Sequence, residues 1–554
     1  MITLNNINLS SIDLSGIDLR GIKLGLEGRG GGSGDGFPVL PGDVTRWHFG
    51  GLTNEMMAAM DDPRIEDADH KGRFLSFKNF AWKGMSGVGG YGDENYQTFY
   101  KFTLDDYVFI ASPPRVKHMN FTFRVTGLQP GNKLTLAFFG TTNTVYGTWD
   151  KDGIYTVDAD IVEAGKPTYF YNGYGSTRGE FTIEILPLYP GFILGDGVDD
   201  FAVTEKELNF EDTYTVYTAF IPFQNNPTRN MILCGANSKK TFSMQYSSLV
   251  YVSFIAGNNY YINADFVNGL NLFACKRNGN NICIKNLLTN KVVTGTCGDW
   301  VENAGLYYLW KNATYTSFAK AAIAGQTICN GYFSTDEDDE KVLDWYKKQY
   351  PWLFPDQAWT VVGKTNEDKD RATIANITGN GNDLVLSNFG FIEGSGYNEE
   401  GEHAGYLVTD GVDDEIISAK LIQFADKFTI VGDWKFMEDR NDNAGLLKAN
   451  QIYIYNATTG MRIYLKQGSK NYPFSCKKIN ALTSDGWVYD EKWDKYKVYP
   501  IGSDIDISSR LFLGFYSSNF TKIALKNLGI YNDQLLSKDD CIKAYNYLQT
   551  LKAK

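Results

Sequence analysis

Apolar positions along the chain follow two patterns. At the start, Ile2, Ile7, Ile12, Ile17 and Ile22 recur every five residues, and Leu4, Leu9, Leu14, Leu19 and Leu24 follow each of them two places later. A period of five is neither the 3.6 of a helix nor the 2 of a strand. Within each unit Ile and Leu stand i and i+2, on one face of a short extended piece, and Ser-Gly or Arg-Gly then turns the chain. Residues 25–36 include seven glycines and read as a flexible linker, drawn here over 25–49. Beyond it the pattern changes to period-two alternation broken by Gly, Pro, Asn and Asp, which predicts many short strands.

These strands group into three units. Asn120–Val125, Lys133–Phe138 and Gly179–Ile185, with turns such as Gln129-Pro-Gly-Asn132 between them, predict a small β-sandwich over 50–190, preceded by a strand element. Thr215–Phe220, Tyr251–Ile255 and Tyr260–Ala264 belong to a jelly-roll unit over 191–357. Thr429–Trp434, Gln451–Tyr455 and Arg510–Phe515 belong to a second over 358–554. Helices are few: a short one near Thr53–Met60, and one closing each large unit after the capping sequences Ser334-Thr-Asp-Glu337 and Ser537-Lys-Asp-Asp540.

Internal repeats tie the large units together. Ile65 to Gly72, continuing through Leu75, Phe77, Asn79 and Phe80, matches Ile374 to Gly381, continuing through Leu384, Leu386, Asn388 and Phe389. Each copy ends in a glycine turn before Tyr91 or Tyr397. Asp196-Gly-Val-Asp-Asp200 matches Asp410-Gly-Val-Asp-Asp414, and a strand pattern follows each at the same distance. The expected fold class is therefore mainly β: tandem β-sandwiches, one small and two lectin-like jelly rolls, with a short N-terminal anchor over 1–24.

The Ile/Leu segment resembles the pentapeptide repeat, as in Ile12-Asp-Leu14-Ser-Gly16 and Ile17-Asp-Leu19-Arg-Gly21. It amounts to about one coil of such a solenoid, and stacked repeats need neighbours to close a core. One coil alone leaves ten large apolar side chains wet. They are expected to be buried by partners, either other copies of this chain or a different protein. The D-G-V-D-D turn leading into a strand, with a terminal strand and short helix, resembles the concanavalin A-like, laminin-G-like lectin module. Asn79-Phe-Ala-Trp-Lys-Gly-Met-Ser-Gly-Val-Gly-Gly-Tyr91, and Ile183 to Gly191 running into Asp196, resemble elements of structural proteins from crass-like and other Bacteroidales phages. The resemblance covers about residues 50–554. It implies a head or tail fibre subunit, commonly a homotrimer, located in the virion and held to capsid or tail proteins by its N-terminus. It brings no sugar site with it, because many modules of this fold only build structure.

Composition narrows the alternatives. The 554 residues carry 53 basic and 65 acidic side chains, a net charge of −12, which argues against general nucleic-acid binding. No apolar run approaches the ~18 residues of a membrane span, and Met1–Asn5 has no basic region or apolar core of a secretory signal. Seven cysteines without a CxxC spacing are expected to be reduced thiols, in a chain made in a reducing compartment.

The candidate chemistry is thin. The aspartates of the two D-G-V-D-D turns are oxygen donors of the kind calcium takes, but one turn offers at most three carboxylates, and Asp and Gly before a strand ordinarily close a turn. No Glu-x-Asp-x-Glu run presents the carboxylate pair that sugar cleavage needs. Asp336-Glu-Asp-Asp-Glu340 opens a predicted helix, where acid complements the dipole. His48, His70, His118 and His403 lie far apart, and no G-x-S-x-G elbow is present. Trp300, Trp310, Trp487 and Trp493 have the chemistry to stack on sugars, yet most aromatics must be core. The expectation is a protein without catalytic residues, metal or cofactor, whose site residues are the ten anchor Ile and Leu positions. A bacterial surface polysaccharide is a possible further partner, and neither nucleic acid nor membrane is expected. An adhesin and a glycan depolymerase are the alternative functions.

Overall fold

The computed structural model describes residues 36–91, 99–102, 107–111, 118–138, 144–160, 168–173, 180–223, 231–236, 242–246, 249–256, 258–267, 269–300, 303–311, 318–379, 381–400, 403–437, 444–449, 452–457, 460–465, 468–471, 478–497, 507–516 and 519–553. The chain is mainly β, built as two large sandwiches and one small one. Each large sandwich has two eight-stranded antiparallel sheets. In the first, the strand Lys320–Asn330 is central: Thr213–Pro222 pairs along one edge, while Asp43–His48 and Ile193–Asp196 share the other end to end. The second repeats the plan with Ile523–Asn532 at the centre, Phe428–Phe436 on one edge, and Gln357–Thr360 and Tyr406–Val408 sharing the other.

Thr213–Pro222 and Lys320–Asn330 are buried along almost their whole length. The period-two alternation still operates, but both faces are covered. Tyr214, Val216 and Phe220 fill the space between the two sheets, while Tyr217, Ala219 and Ile221 face the closing helix. Phe273 and Cys275 point inward in the same way, and Leu272 and Ala274 outward.

The outward faces of the two large sandwiches meet. Val342, Trp345 and Tyr346 on the helix Asp336–Gln349, Trp352 and Leu353 on the single turn Pro351–Leu353, and Tyr545 and Leu548 on the helix Lys538–Thr550 belong to one continuous core. That core takes Leu272 from the first sandwich and Val431 and Ala481 from the second.

The small sandwich has two four-stranded sheets. The flanking strands Gly87–Val88 and Ile193–Asp196 pair with each other, so the whole small sandwich is an insertion into one hairpin of the first large sandwich. The equivalent hairpin of the second, Gly396–Asn398 with Tyr406–Val408, has only a short connection. The insert leans on the second sandwich: Thr122 Oγ1 donates to Asn546 Oδ1 (2.7 Å), and Lys151 pairs with Asp494 (3.3 Å).

Two boundaries move. Residues 43–49 belong to the first large sandwich rather than to a linker: Trp47 and Phe49 are wholly buried, and burying such side chains is worth about 2–3 kcal/mol each. Residues 64–88 also pair into that sandwich rather than into the small one. The helix near residue 53 is there as Asn54–Ala58, capped by Thr53 Oγ1 accepting from the Met56 N–H (3.2 Å). The N-cap of the first closing helix is Thr335 with Asp338 reciprocating, one place beyond the expected Ser334 and Glu337. Ser334 is instead buried, and its hydroxyl donates to Asp339 Oδ1 (3.1 Å). In Arg510–Phe515 the expected single strand is split, because Gly514 has φ +75°.

Candidate functional site

The sequence repeats become twin constructions. Asn79 and Asn388 sit at φ 68° and 67°, a region Asn tolerates better than most residues. Their amides donate to the Asp199 and Asp413 carbonyls at 3.1 and 2.9 Å, which fixes the two D-G-V-D-D turns against the neighbouring strand. Asn54 Oδ1 accepts from the Val88 N–H (2.7 Å) while its amide donates to the Val88 carbonyl (3.2 Å). Asn366 makes the same pair of bonds with Tyr397, both at 2.8 Å. The glycines before these bonds are obligatory: a Cβ on Gly87 or Gly396 would stand 2.5 Å from the Asn54 or Asn366 Oδ1, at φ values of 141° and 155°.

In each D-G-V-D-D turn the three carboxylates have oxygens within 4.8 Å of one another, a spacing that could hold a cation. The turn itself accounts for most of their bonds. Asp196 Oδ1 accepts from the Val198 N–H (2.7 Å), and Asp200 Oδ2 from the Asp196 N–H (3.0 Å). Asp410 and Asp414 repeat this at 2.7 Å each. Ser395 Oγ donates to Asp414 Oδ1 (3.1 Å), and Ser86 stands beside Asp200 in the same place. Asp200 and Asp414 are buried, whereas Asp199 and Asp413 are exposed. Burial pushes the Asp200 carboxyl up from 3.8 to about 7 and the Asp414 carboxyl to about 6, with the neighbouring aspartates adding to the rise.

Two further ionic clusters fasten the closing helices. Asp339 accepts from Lys276 (2.7 Å), from Tyr217 Oη (2.9 Å) and from Ser334, and Lys285 approaches to 3.2 Å. In the second sandwich the carboxylate sits on the sheet: Asp433 pairs with Lys478 (2.7 Å) and accepts from Tyr406, Tyr545 and Gln549. Both carboxylates are buried and multiply bonded, which suits fastening better than proton transfer.

The Asp336–Glu340 run does open a helix, with Asp338 bound back to the cap residue Thr335. Trp310 and Trp493 are wholly buried, and Trp310 Nε1 donates to the Ala321 carbonyl (2.8 Å). Trp300 is half-buried under the Arg277 guanidinium (5.0 Å), and Lys495 covers the Trp487 ring (3.4 Å). None of the four offers a free platform. His48 is buried against Trp345 (4.4 Å between ring centres), while His70 pairs with Glu66 (3.1 Å) at the surface. Cys275, Cys283, Cys297, Cys329 and Cys541 stand outside disulfides, and all but Cys283 are buried. The ten anchor positions, Ile2 to Leu24, lie outside the described residues.

One feature had no local signal. Where the two large sandwiches meet, a cleft of about 230 Å³ opens between Leu270, Leu288 and Thr289 of the first and Phe354, Asp356 and Ile377 further along the chain. A second lobe of about 270 Å³, also lined by Val267 and Thr289, adds Asp265, Asn286 and Lys291. The lining residues come from seven separate stretches, so only the fold brings them together. The Asn in 286–289 does mark the turn: Asn286 Oδ1 accepts from the Leu288 N–H (3.0 Å).

No family model matches the chain, and no curated protein matches it in sequence. Among solved structures, the binding domain of botulinum neurotoxin DC in complex with SialylT is 9% identical with a TM-score of 0.26, over 60% of this chain and 88% of that one. The same domain in complex with rat synaptotagmin II is 8% identical with a TM-score of 0.27, over 62% and 90%. The botulinum neurotoxin serotype C1 binding domain is 8% identical with a TM-score of 0.24, over 60% and 88%.

Proposed function

We propose that this chain is a non-enzymatic fibre subunit of a phage particle, attached through residues 1–24 and presenting fused lectin-type sandwiches. The supporting observation is the continuous core between the two large sandwiches, which uses both closing helices and makes the pair one stiff body rather than beads on a linker. A projecting spacer needs that stiffness. The buried carboxylates Asp339 and Asp433 are spent on fastening helices, in keeping with a structural role. The unit assembles as a homotrimer whose Ile/Leu faces cover one another or the particle.

The test is deletion of residues 1–24. Folded sandwiches that no longer join particles are expected, and normal incorporation would overturn the reading. Light scattering of the intact protein at micromolar concentration should give a trimer mass; a monomer would refute the assembly. A second reading, contact with bacterial surface saccharide, is favoured by the cleft between the sandwiches. Many weak contacts on one particle would then gain from avidity. Binding without release of reducing ends separates it from depolymerisation.

A further inference from the structure

We infer that the cleft between the two large sandwiches is a binding site for a neutral saccharide. The inference rests on the second reading above and names where that contact is made. Three observations carry it.

The first is construction. Ligand sites favour the seams between domains and enclose roughly 300–1,000 Å³. The two lobes, about 230 and 270 Å³, meet at Val267 and Thr289, and together reach that range. Their walls are held in place by bonds that exist before any ligand arrives. Asn286 is buried and ties the 286–289 turn. Tyr547 Oη accepts from the Leu270 N–H (3.0 Å) under the floor. Thr378 Oγ1 donates to the Asp356 carbonyl (3.2 Å), and Asp356 Oδ2 accepts from the Asn532 N–H (2.6 Å). Both sandwiches contribute, since a Cβ on Gly379 would reach Thr289 Cγ2 at 3.4 Å.

The second is the distribution of polarity. The inner lobe has an apolar floor including Leu270, Leu353 and Ile377, with Asp356, Thr289 and Thr378 at its sides. The outer lobe sets Asp265, Asn286 and Lys291 beside the apolar Leu249, Phe266 and Val267. A pyranose has this character, with C–H groups on a face and hydroxyls around the edge. Thr289 Oγ1 is buried and makes no hydrogen bond among the described residues, so it is a donor and acceptor left over by folding. Buried hydroxyls are ordinarily bonded, and a ligand hydroxyl is a fitting partner.

The third is charge. Asp356 faces the inner lobe together with Lys347, and Asp265 pairs with Lys291 (3.1 Å) in the outer one. Balanced charge suits a neutral ligand and gives no cradle for phosphate or sulfate. Both acidic side chains of the combined site are already engaged, Asp265 with Lys291 and Asp356 with the Asn532 N–H, which fits holding a glycosidic chain better than cutting it.

The test uses the full chain on a printed array of neutral oligosaccharides, sialylated oligosaccharides and bacterial capsular polysaccharides. Thr289→Val removes the hydroxyl at constant shape, and Leu288→Trp fills the mouth. Binding to neutral glycans is expected, weakened about tenfold by Thr289→Val and abolished by Leu288→Trp, with melting curves confirming both folds. Hydrogen exchange of 265–291 and 353–379 should slow when the bound glycan is added. Binding that both folded variants retain would overturn the site while leaving the saccharide reading intact. Binding confined to sialylated glycans would overturn the neutral class, and no binding to any glycan would overturn both.

Discussion

Asp200→Asn should make this protein more stable at alkaline pH, although it deletes a charged group from a repeated motif. Asp200 is wholly buried, and burial lifts its carboxyl from 3.8 to about 7. A group whose folded pKa lies above its unfolded value binds its proton more tightly when folded. The ionised form therefore burdens the native state above pH 7, and the burden lifts as pH falls from 7 towards 4. At ~1.4 kcal/mol for each tenfold change in proton affinity, the ceiling is about 4 kcal/mol. The amide keeps the bond that matters, because its carbonyl can still accept from the Asp196 N–H, now at 3.0 Å from the carboxylate. Its NH₂ can turn towards Ser86. For a domain of this size each kcal/mol moves the melting temperature by roughly 2–4 °C. Calorimetry in a calcium-free buffer should show the first sandwich melting about 5–10 °C higher in the variant at pH 8, with the gap closing by pH 4. A variant equally or less stable at pH 8, or a gap independent of pH, would refute the argument. If added calcium raises the wild type but not the variant, the carboxylates neutralise one another's cost by sharing a cation.

Other parts of the structure give equally direct expectations. Asn54→Ala and Asn366→Ala each strand one buried N–H and one carbonyl, and each should cost about 2–4 kcal/mol in urea unfolding. Asp339→Ala leaves the buried Lys276 ammonium without a carboxylate, while Lys285 keeps its pair with Asp336 (2.6 Å). It should cost about 3–5 kcal/mol and expose the helix Asp336–Gln349 to limited proteolysis. His48, packed among Phe37, Trp345 and Tyr346, is held well below 6.5 by burial and by Arg46. The unfolded chain takes up that proton first, so this residue removes stability as pH falls below about 6.5; His48→Phe should flatten the loss in acid melts.

The mainly-β architecture was legible because Leu75 and Phe77, like their counterparts Leu384 and Leu386, stand two apart within one short strand on a buried face. Asn79 and Asn388 were visible as repeats, but only the structure explains them, through a positive φ and a bond to the next turn. The strand Asp43–His48 was hidden by the glycines before it. Its partner Lys320–Asn330 lies nearly three hundred residues away, and no local pattern records that pairing. The shift of the helix cap to Thr335 reflects competition: Ser334 is drawn into the Asp339 cluster, so its neighbour takes the cap. The cleft was illegible because its residues have ordinary identities and acquire meaning only by convergence.

The hairpin that carries the small sandwich has a consequence for how such proteins change. Its two strands, Gly87–Val88 and Ile193–Asp196, lie side by side, so whatever is spliced between them starts and ends at neighbouring points. Closing a loop of about a hundred residues instead of fewer than ten adds only about 2 kcal/mol of chain entropy, and an insert that folds by itself recovers more than that. The host core does not need to be redesigned to accept it. The short connection between Gly396–Asn398 and Tyr406–Val408 is the same socket in the second sandwich, filled with a few residues instead of a domain. A gene of this design can exchange outer domains at two ready-made ports while its sheets, turns and closing helices stay unchanged.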